Sequence, residues 1–199
     1  MRDILKALAT MLATVVVAPR IIAFRTAAAI VGKDRAIEAS TQSLARVPGL
    51  RGQYLRRAFL PFVGVTCHPT ATVCYGTTFS KPGSVLEENV YVGPGCHLGL
   101  VHLERDVLLA AGVHIPSGGR THGTDDPSIP IREQAGNPTM VRVGAGSWIG
   151  SAAVVLADVG RNSVVGAGSV VTKPIPDDVI AAGVPARIVR SRARDQQLA

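Results

Sequence analysis

From Cys67 onward, aliphatic or small apolar residues recur at every sixth position. Cys67, Val73 and Phe79 open the series, and Leu86, Val92 and Leu98 follow after a slightly irregular step. Leu103, Leu109 and Ile115 continue it after one five-residue rung. Beyond an interruption come Val143, Ile149 and Val155, then Val159, Val165 and Val171. Small residues follow many of these positions, as in "VGPGCH", "VGAGSW" and "VGAGSV". A period of six is neither the 3.6 of an amphipathic helix nor the 2 of a half-buried strand. It is the pattern of a parallel β-helix, in which three rungs make a triangular coil and stacked coils bury each aliphatic on the next. About fifteen rungs predict about five coils. The rung from Val155 to Val159 is two residues short, and a local kink is expected there.

The first 62 residues lack this period. Residues 4–31 are strongly apolar but interrupted by Lys6, Arg20 and Arg25. Thirteen uncharged residues run from Ala7 to Pro19, short of the roughly 20 a spanning helix needs. Pro19 predicts a break into two short helices. A second apolar stretch, 49–62, sets Leu50, Tyr54, Phe59 and Leu60 beside Arg51, Arg56 and Arg57. No small-x-small cleavage site leads into a polar chain, which disfavours a removed secretory signal.

Charge sharpens this picture. The formal net charge is +7, and all of it lies in the first 60 residues, where ten Lys and Arg face only Asp3, Asp34 and Glu38. Apolar faces flanked by arginines suit helices lying in the interface of an anionic bilayer. The expected location is cytoplasmic, peripheral on the inner face of the cell membrane. The alternative is that these helices pack on the rest of the protein or on a neighbouring subunit. Nucleic acid is not an expected partner, because aromatics make up only 4% and no DNA- or RNA-binding motif is present. Cys67, Cys74 and Cys96 are odd in number and contain no CxxC pair, which argues against a disulfide framework and fits a reducing compartment.

The expected organisation is a basic, apolar helical segment (1–62), a repeat domain (63–190) and a polar tail (191–199). The repeat domain is interrupted by a loop, 116–142. Long loops in compact folds are usually functional. This one holds His122, Asp125, Asp126, Arg132 and Glu133. His97, His102 and His114 each precede an inward aliphatic and therefore point outward. His97 and His114 are seventeen residues apart, one coil given the short rung, and should stack. A stacked pair could hold a metal, but the third ligand is missing; His68 is the only upstream choice and fits poorly.

The stretch "VGAGSWIGSAAVVLADVGRNSVVGAGSVVTKPIPDDVIAAGVPARIVR", 143–190, resembles the C-terminal half of hexapeptide-repeat acyltransferases. That family includes sugar O-acetyltransferases and the acetyltransferases of exopolysaccharide synthesis. The resemblance covers 67–190. It implies an all-β fold, a left-handed parallel β-helix with one extruded loop, here preceded by an α-helical segment. It also implies a homotrimer and an acyl-CoA site between neighbouring subunits. In the resembling enzymes an extruded loop carries a Thr-His dipeptide followed by acidic, proline and arginine residues. "THGTDDPSIPIREQ" matches that order, with Thr121 and His122 at the dipeptide. The resemblance carries coenzyme A contacts onto Ser151, Ala167, Thr172, Lys173, Arg187 and Arg190. Ala167 and Gly168 permit close approach, and Lys173 and the arginines can neutralise phosphates.

The chemistry of such a site asks for a base. An alcohol attacks a thioester poorly unless its proton leaves as it attacks, and imidazole titrates where it can take that proton. A carboxylate on the other ring nitrogen, Asp125 or Asp126, could fix the tautomer, as could a backbone carbonyl. No serine or cysteine stands in a recognisable nucleophile setting, so direct transfer is expected. The reading is an acetyl-CoA-dependent O-acetyltransferase acting on a sugar hydroxyl, of a surface-polysaccharide or lipid-linked glycan precursor, with no metal. The alternatives are a non-catalytic hexapeptide scaffold and a zinc lyase of the carbonic anhydrase type.

Overall fold

The structure is a computed structural model that describes residues 2–192, with side chains from residue 8 onward. Three helices lead the chain: α1 (Arg2–Val31), α2 (Lys33–Ala45) and α3 (Gly49–Phe59), the last continued by a 3₁₀ turn, Leu60–Val63. Sixteen short strands follow and wind into a solenoid with three sheets. The first face stacks β1 (Thr66–Cys67), β4 (Val85–Leu86), β7 (Val101–Leu103) and β10 (Val141–Val143). The second stacks β2 (Thr72–Val73), β5 (Tyr91–Val92), β8 (Leu108–Leu109), β11 (Trp148–Ile149), β13 (Val164–Val165) and β15 (Val179–Gly183). The third stacks β3 (Thr78–Phe79), β6 (His97–Leu98), β9 (His114–Ile115), β12 (Val154–Val155) and β14 (Val170–Val171). All these pairings are parallel; only β16 (Ala186–Ser191) turns back, antiparallel on β15.

The hexad aliphatics point inward as their period requires. Phe79, Leu98, Leu109, Ile115, Ile149 and Val165 are all at most 2% exposed. Single parallel bridges, Val143 to Val159 and Val159 to Ile175, carry the first face two rungs further. Ile175 and Ala181 therefore open a sixth coil beyond the expected five. At the short rung Val159 forms only a bridge, and the Asp158 carboxylate accepts from Arg142 N at 2.8 Å. The corners explain the small residues. Between the first and second faces, Asn89, Asp106, Gly146, Asn162 and Asp178 all take positive φ, a conformation Gly, Asn and Asp adopt at least cost.

Buried serines, each two residues before an inward hexad position, clip one coil to the next. Ser84 Oγ donates to Gly99 O and accepts from Val101 N. Ser147 Oγ donates to Gly160 O and accepts from Ser163 N. Each satisfies corner groups that would otherwise be buried unpaired.

The helices cap the open end of the solenoid. Thr41 Oγ1 of α2 accepts from Phe79 N and donates to Phe79 O, and Gly76 N donates to Ala45 O. These bonds occupy an edge that would invite further pairing. Phe59, Leu60 and Val63 fill the end of the core. Arg56 is 3% exposed and donates to Leu44 O, Val47 O and Val73 O, each at 2.9 Å. Burial lowers its pKa.

Three expectations about this segment are corrected. Pro19 does not split α1, which runs unbroken through it. Val17 and Phe24, on either side of the proline, are both buried, and this packing holds the helix across the missing hydrogen bond. The stretch 49–62 has no single apolar face, since Phe59 and Leu60 are buried while Leu50 is 72% exposed. Arg56 belongs to the interior rather than to a basic flank. The tail 193–199 lies outside the described residues.

Candidate active site

The loop leaves the solenoid at the corner between β9 and β10, where the third face turns into the first. Its neck is zipped. Thr139 N donates to Ser117 O at 2.9 Å, and Asn137 N to Arg120 O at 2.7 Å. Ser117 is buried and its hydroxyl accepts from Leu100 N, which fixes the loop root to the preceding coil. Further out, a Cβ on Gly136 would collide with the Thr121 carbonyl and stand 2.8 Å from His122 N. Only glycine lets the returning chain lie so close to the Thr121–His122 peptide. Gln134 closes the tip, its Oε1 accepting from Asp126 N and its Nε2 donating to Asp126 O and Ile129 O.

His122 stands exposed on this framework, and among the described residues no hydrogen bond reaches its ring. Neither aspartate orients it. Asp126 accepts from Ser128 N at 2.9 Å and Ser128 Oγ at 2.6 Å, which lowers its pKa, and Asp125 points to solvent.

The other candidates fall on two corners. Ser151, Ala167 and Gly168 stack in successive coils between the second and third faces, with Gly168 N donating to Ser151 O at 2.8 Å. Gly150 here is pressed against Ala167 N, and Gly168 has open space beside it. Arg187 pairs with Ala182, whose methyl packs toward Gly166, and so stands at the foot of this column. Arg190 pairs with Ile180, further along the second face. Thr172 and Lys173 follow β14 at the opposite corner and are exposed. This is the corner from which the loop springs two coils earlier, about 10 Å away at one strand spacing per coil. Gly119 of the loop lies beside Leu156 on the coil between. The third face thus has the small-residue column on one edge and the loop with Thr172 and Lys173 on the other.

The remaining histidines are accounted for. His97 and His114 stack with ring centroids 4.8 Å apart, and His97 Nδ1 bonds Thr78 Oγ1 at 2.9 Å. His68 Nδ1 bonds Thr70 Oγ1. Among the described residues no group of three His, Cys, Asp or Glu converges on one point. His102 supplies what the sequence reading missed: its Nε2 lies 2.6 Å from Glu87 Oε1. Glu87 also accepts from Arg105 N, and the His102 bond leads in lowering its pKa. The signal was available in the register, because Glu87 and His102 flank Leu86 and Leu103, inward partners one coil apart.

Known proteins share this architecture and parts of this sequence. Galactoside O-acetyltransferase of Escherichia coli (strain K12) is 54% identical over 52 residues, covering 25% of this chain and 26% of the relative. The putative lipopolysaccharide biosynthesis O-acetyl transferase WbbJ of the same strain is 31% identical over 132 residues, 60% of this chain and 66% of the relative. A solved galactoside acetyltransferase in complex with coenzyme A superposes with a TM-score of 0.57 at 22% identity, covering 82% of this chain and 84% of the other. The chain belongs to the hexapeptide-repeat acyltransferase family. Its solenoid is the left-handed β-helix of that family. No family model matches it. This acyltransferase-family chain spans about a quarter to two thirds of the length of the curated relatives it matches.

Proposed function

We propose that the protein is an acetyl-CoA-dependent O-acetyltransferase acting on a sugar hydroxyl of a surface-polysaccharide or lipid-linked glycan precursor. The observation that carries this reading is the flanking of one β-helix face by a small-residue column and a histidine-bearing loop. The names of the relatives, galactoside and lipopolysaccharide O-acetyltransferases, support the acceptor class. Coenzyme A lies against the backbone at Ser151, Ala167 and Gly168, with Thr172 beside it and Lys173, Arg187 and Arg190 meeting its phosphates. His122 takes the hydroxyl proton as the oxygen attacks the thioester carbonyl. The carbon–sulfur bond then breaks, the acetyl group stays on the sugar oxygen, and the thiolate leaves to be protonated.

His122 is open to solvent in one chain, so a neighbouring copy is needed to enclose it. Tyr91, Leu108 and Trp148 align in register on the second face and are 40–50% exposed, an apolar ladder suited to packing in a homotrimer. The basic N-terminal helices hold the assembly on the inner face of the cell membrane. Calorimetry tests the donor: acetyl-CoA should bind to a trimer-sized species, and Lys173→Ala with Arg187→Ala should weaken that binding by about tenfold or more, by analogy with charge-assisted bonds. Unchanged affinity in the double variant, or no binding by the intact protein, refutes the donor site.

The neck makes a second prediction. Gly136→Val should push the Thr121–His122 peptide away and cut turnover by about 10²-fold, the effect of an ångström of misplacement. Acetyl-CoA affinity and the melting temperature of the solenoid should hardly move. Steady-state kinetics beside a thermal melt would read both.

A further inference from the structure

Among the described residues, the outer face of α1 makes no contact with the solenoid or with the candidate active site. Ala13, Val17 and Phe24 bury one stripe of the helix against α2 and α3. On the opposite side Leu8, Met11, Leu12, Val15 and Ile22 are each more than half exposed. Leu50 of α3 continues this surface. Between the two helices runs an apolar groove of about 390 Å³, lined by Leu12, Val16, Leu50, Tyr54 and Leu55, with Arg51 at its wall. Its volume is that of a small-molecule site.

We propose that α1 lies in the plane of an anionic bilayer and that this groove receives one acyl chain of a phospholipid, whose phosphate Arg51 meets. The inference rests on the membrane reading above and adds a site to it. Charge selects the occupant. No acidic residue occurs between Asp3 and Asp34, whereas Arg20, Arg25 and Arg51 make no ion pair among the described residues. A second copy seated on this face would bring uncompensated arginines together; an anionic lipid surface neutralises them.

The packing also fixes the orientation. The segment Leu8–Val31 is long and apolar enough to cross a membrane. Yet α1 packs along its length on α2, which carries Lys33, Asp34, Arg35 and Glu38, and on α3 with its arginines. Crossing would draw those charges into hydrocarbon. Lying flat exposes only the apolar face and keeps α2 in water.

The test uses the full chain with Trp148→Phe and Leu50→Trp, leaving one tryptophan at the groove. It is mixed with phosphatidylglycerol vesicles whose acyl chains are brominated. Fluorescence should fall by at least half, and Leu12→Asp with Val15→Asp should reduce co-sedimentation with such vesicles by at least tenfold. Circular dichroism and the thermal melt should confirm that this charged variant keeps its fold. Co-sedimentation without quenching would overturn the acyl-chain site while leaving peripheral binding by the arginines intact. Failure of the wild-type chain to co-sediment would overturn both readings. A charged variant that loses its oligomeric mass would assign the face to a subunit contact instead.

Discussion

Replacing His122 with alanine is expected to lower acetyl transfer by about 10²–10⁴-fold, the usual worth of general-base assistance. The side chain is exposed on a loop whose hydrogen bonds all come from other residues, so the solenoid should melt as before. Acetyl-CoA affinity should also persist, since the candidate phosphate contacts lie on Lys173, Arg187 and Arg190. The informative control is His102→Ala. His102 has the carboxylate partner that His122 lacks, Glu87 at 2.6 Å, and by local geometry alone it is the better-prepared base. It sits on the first face, however, away from the face bounded by Ser151, Ala167 and the loop. Transfer to the acceptor, or hydrolysis of acetyl-CoA in its absence, should therefore survive His102→Ala. If His102→Ala abolishes turnover and His122→Ala does not, the chemistry moves to the first face.

The second large effect concerns stability. Arg56→Ala should destabilise the docking of the helical cap by about 2–4 kcal/mol, because three buried carbonyls lose a charged donor and a void opens among them. Leu44 O and Val47 O lie near the end of α2, and Val73 O belongs to the first coil, so one side chain ties two parts of the molecule together. Arg56→Lys should recover little, since one ammonium cannot span the positions that Nε and Nη1 occupy. Differential scanning calorimetry should show an early helical transition ahead of an unshifted solenoid. A single transition at the wild-type temperature would mean that apolar packing of Phe59 and Leu60 alone holds the cap.

Much of the architecture is legible in the hexads. Each inward residue from Val73 to Val171 meets its like one coil away, so the same short-range rule repeats and can be read from spacing. The corner residues are equally local, since Asn89, Asp106 and Asn162 are types that tolerate positive φ. The loop is legible as a break in the period, and its histidine as the residue whose chemistry suits the break. The supposed carboxylate partner was not legible. Asp125 and Asp126 are near His122 in sequence, but Ser128 and Gln134 take up Asp126 and its backbone.

By itself, then, the sequence determines the solenoid, the place where the loop leaves it, and the concentration of positive charge at the N-terminal end. These follow from periodicity and composition, which act between neighbours in the chain or in the next coil. Only the tertiary structure decides that α1 runs through Pro19, that Arg56 is interior, and that the loop and Thr172 share an edge. Those outcomes depend on docking between segments with no common period: Thr41 with Phe79, Arg56 with Val73, Gly136 with Thr121. Local propensity gives way there because burying Val17 and Phe24 along one helix face outweighs the single hydrogen bond lost at Pro19.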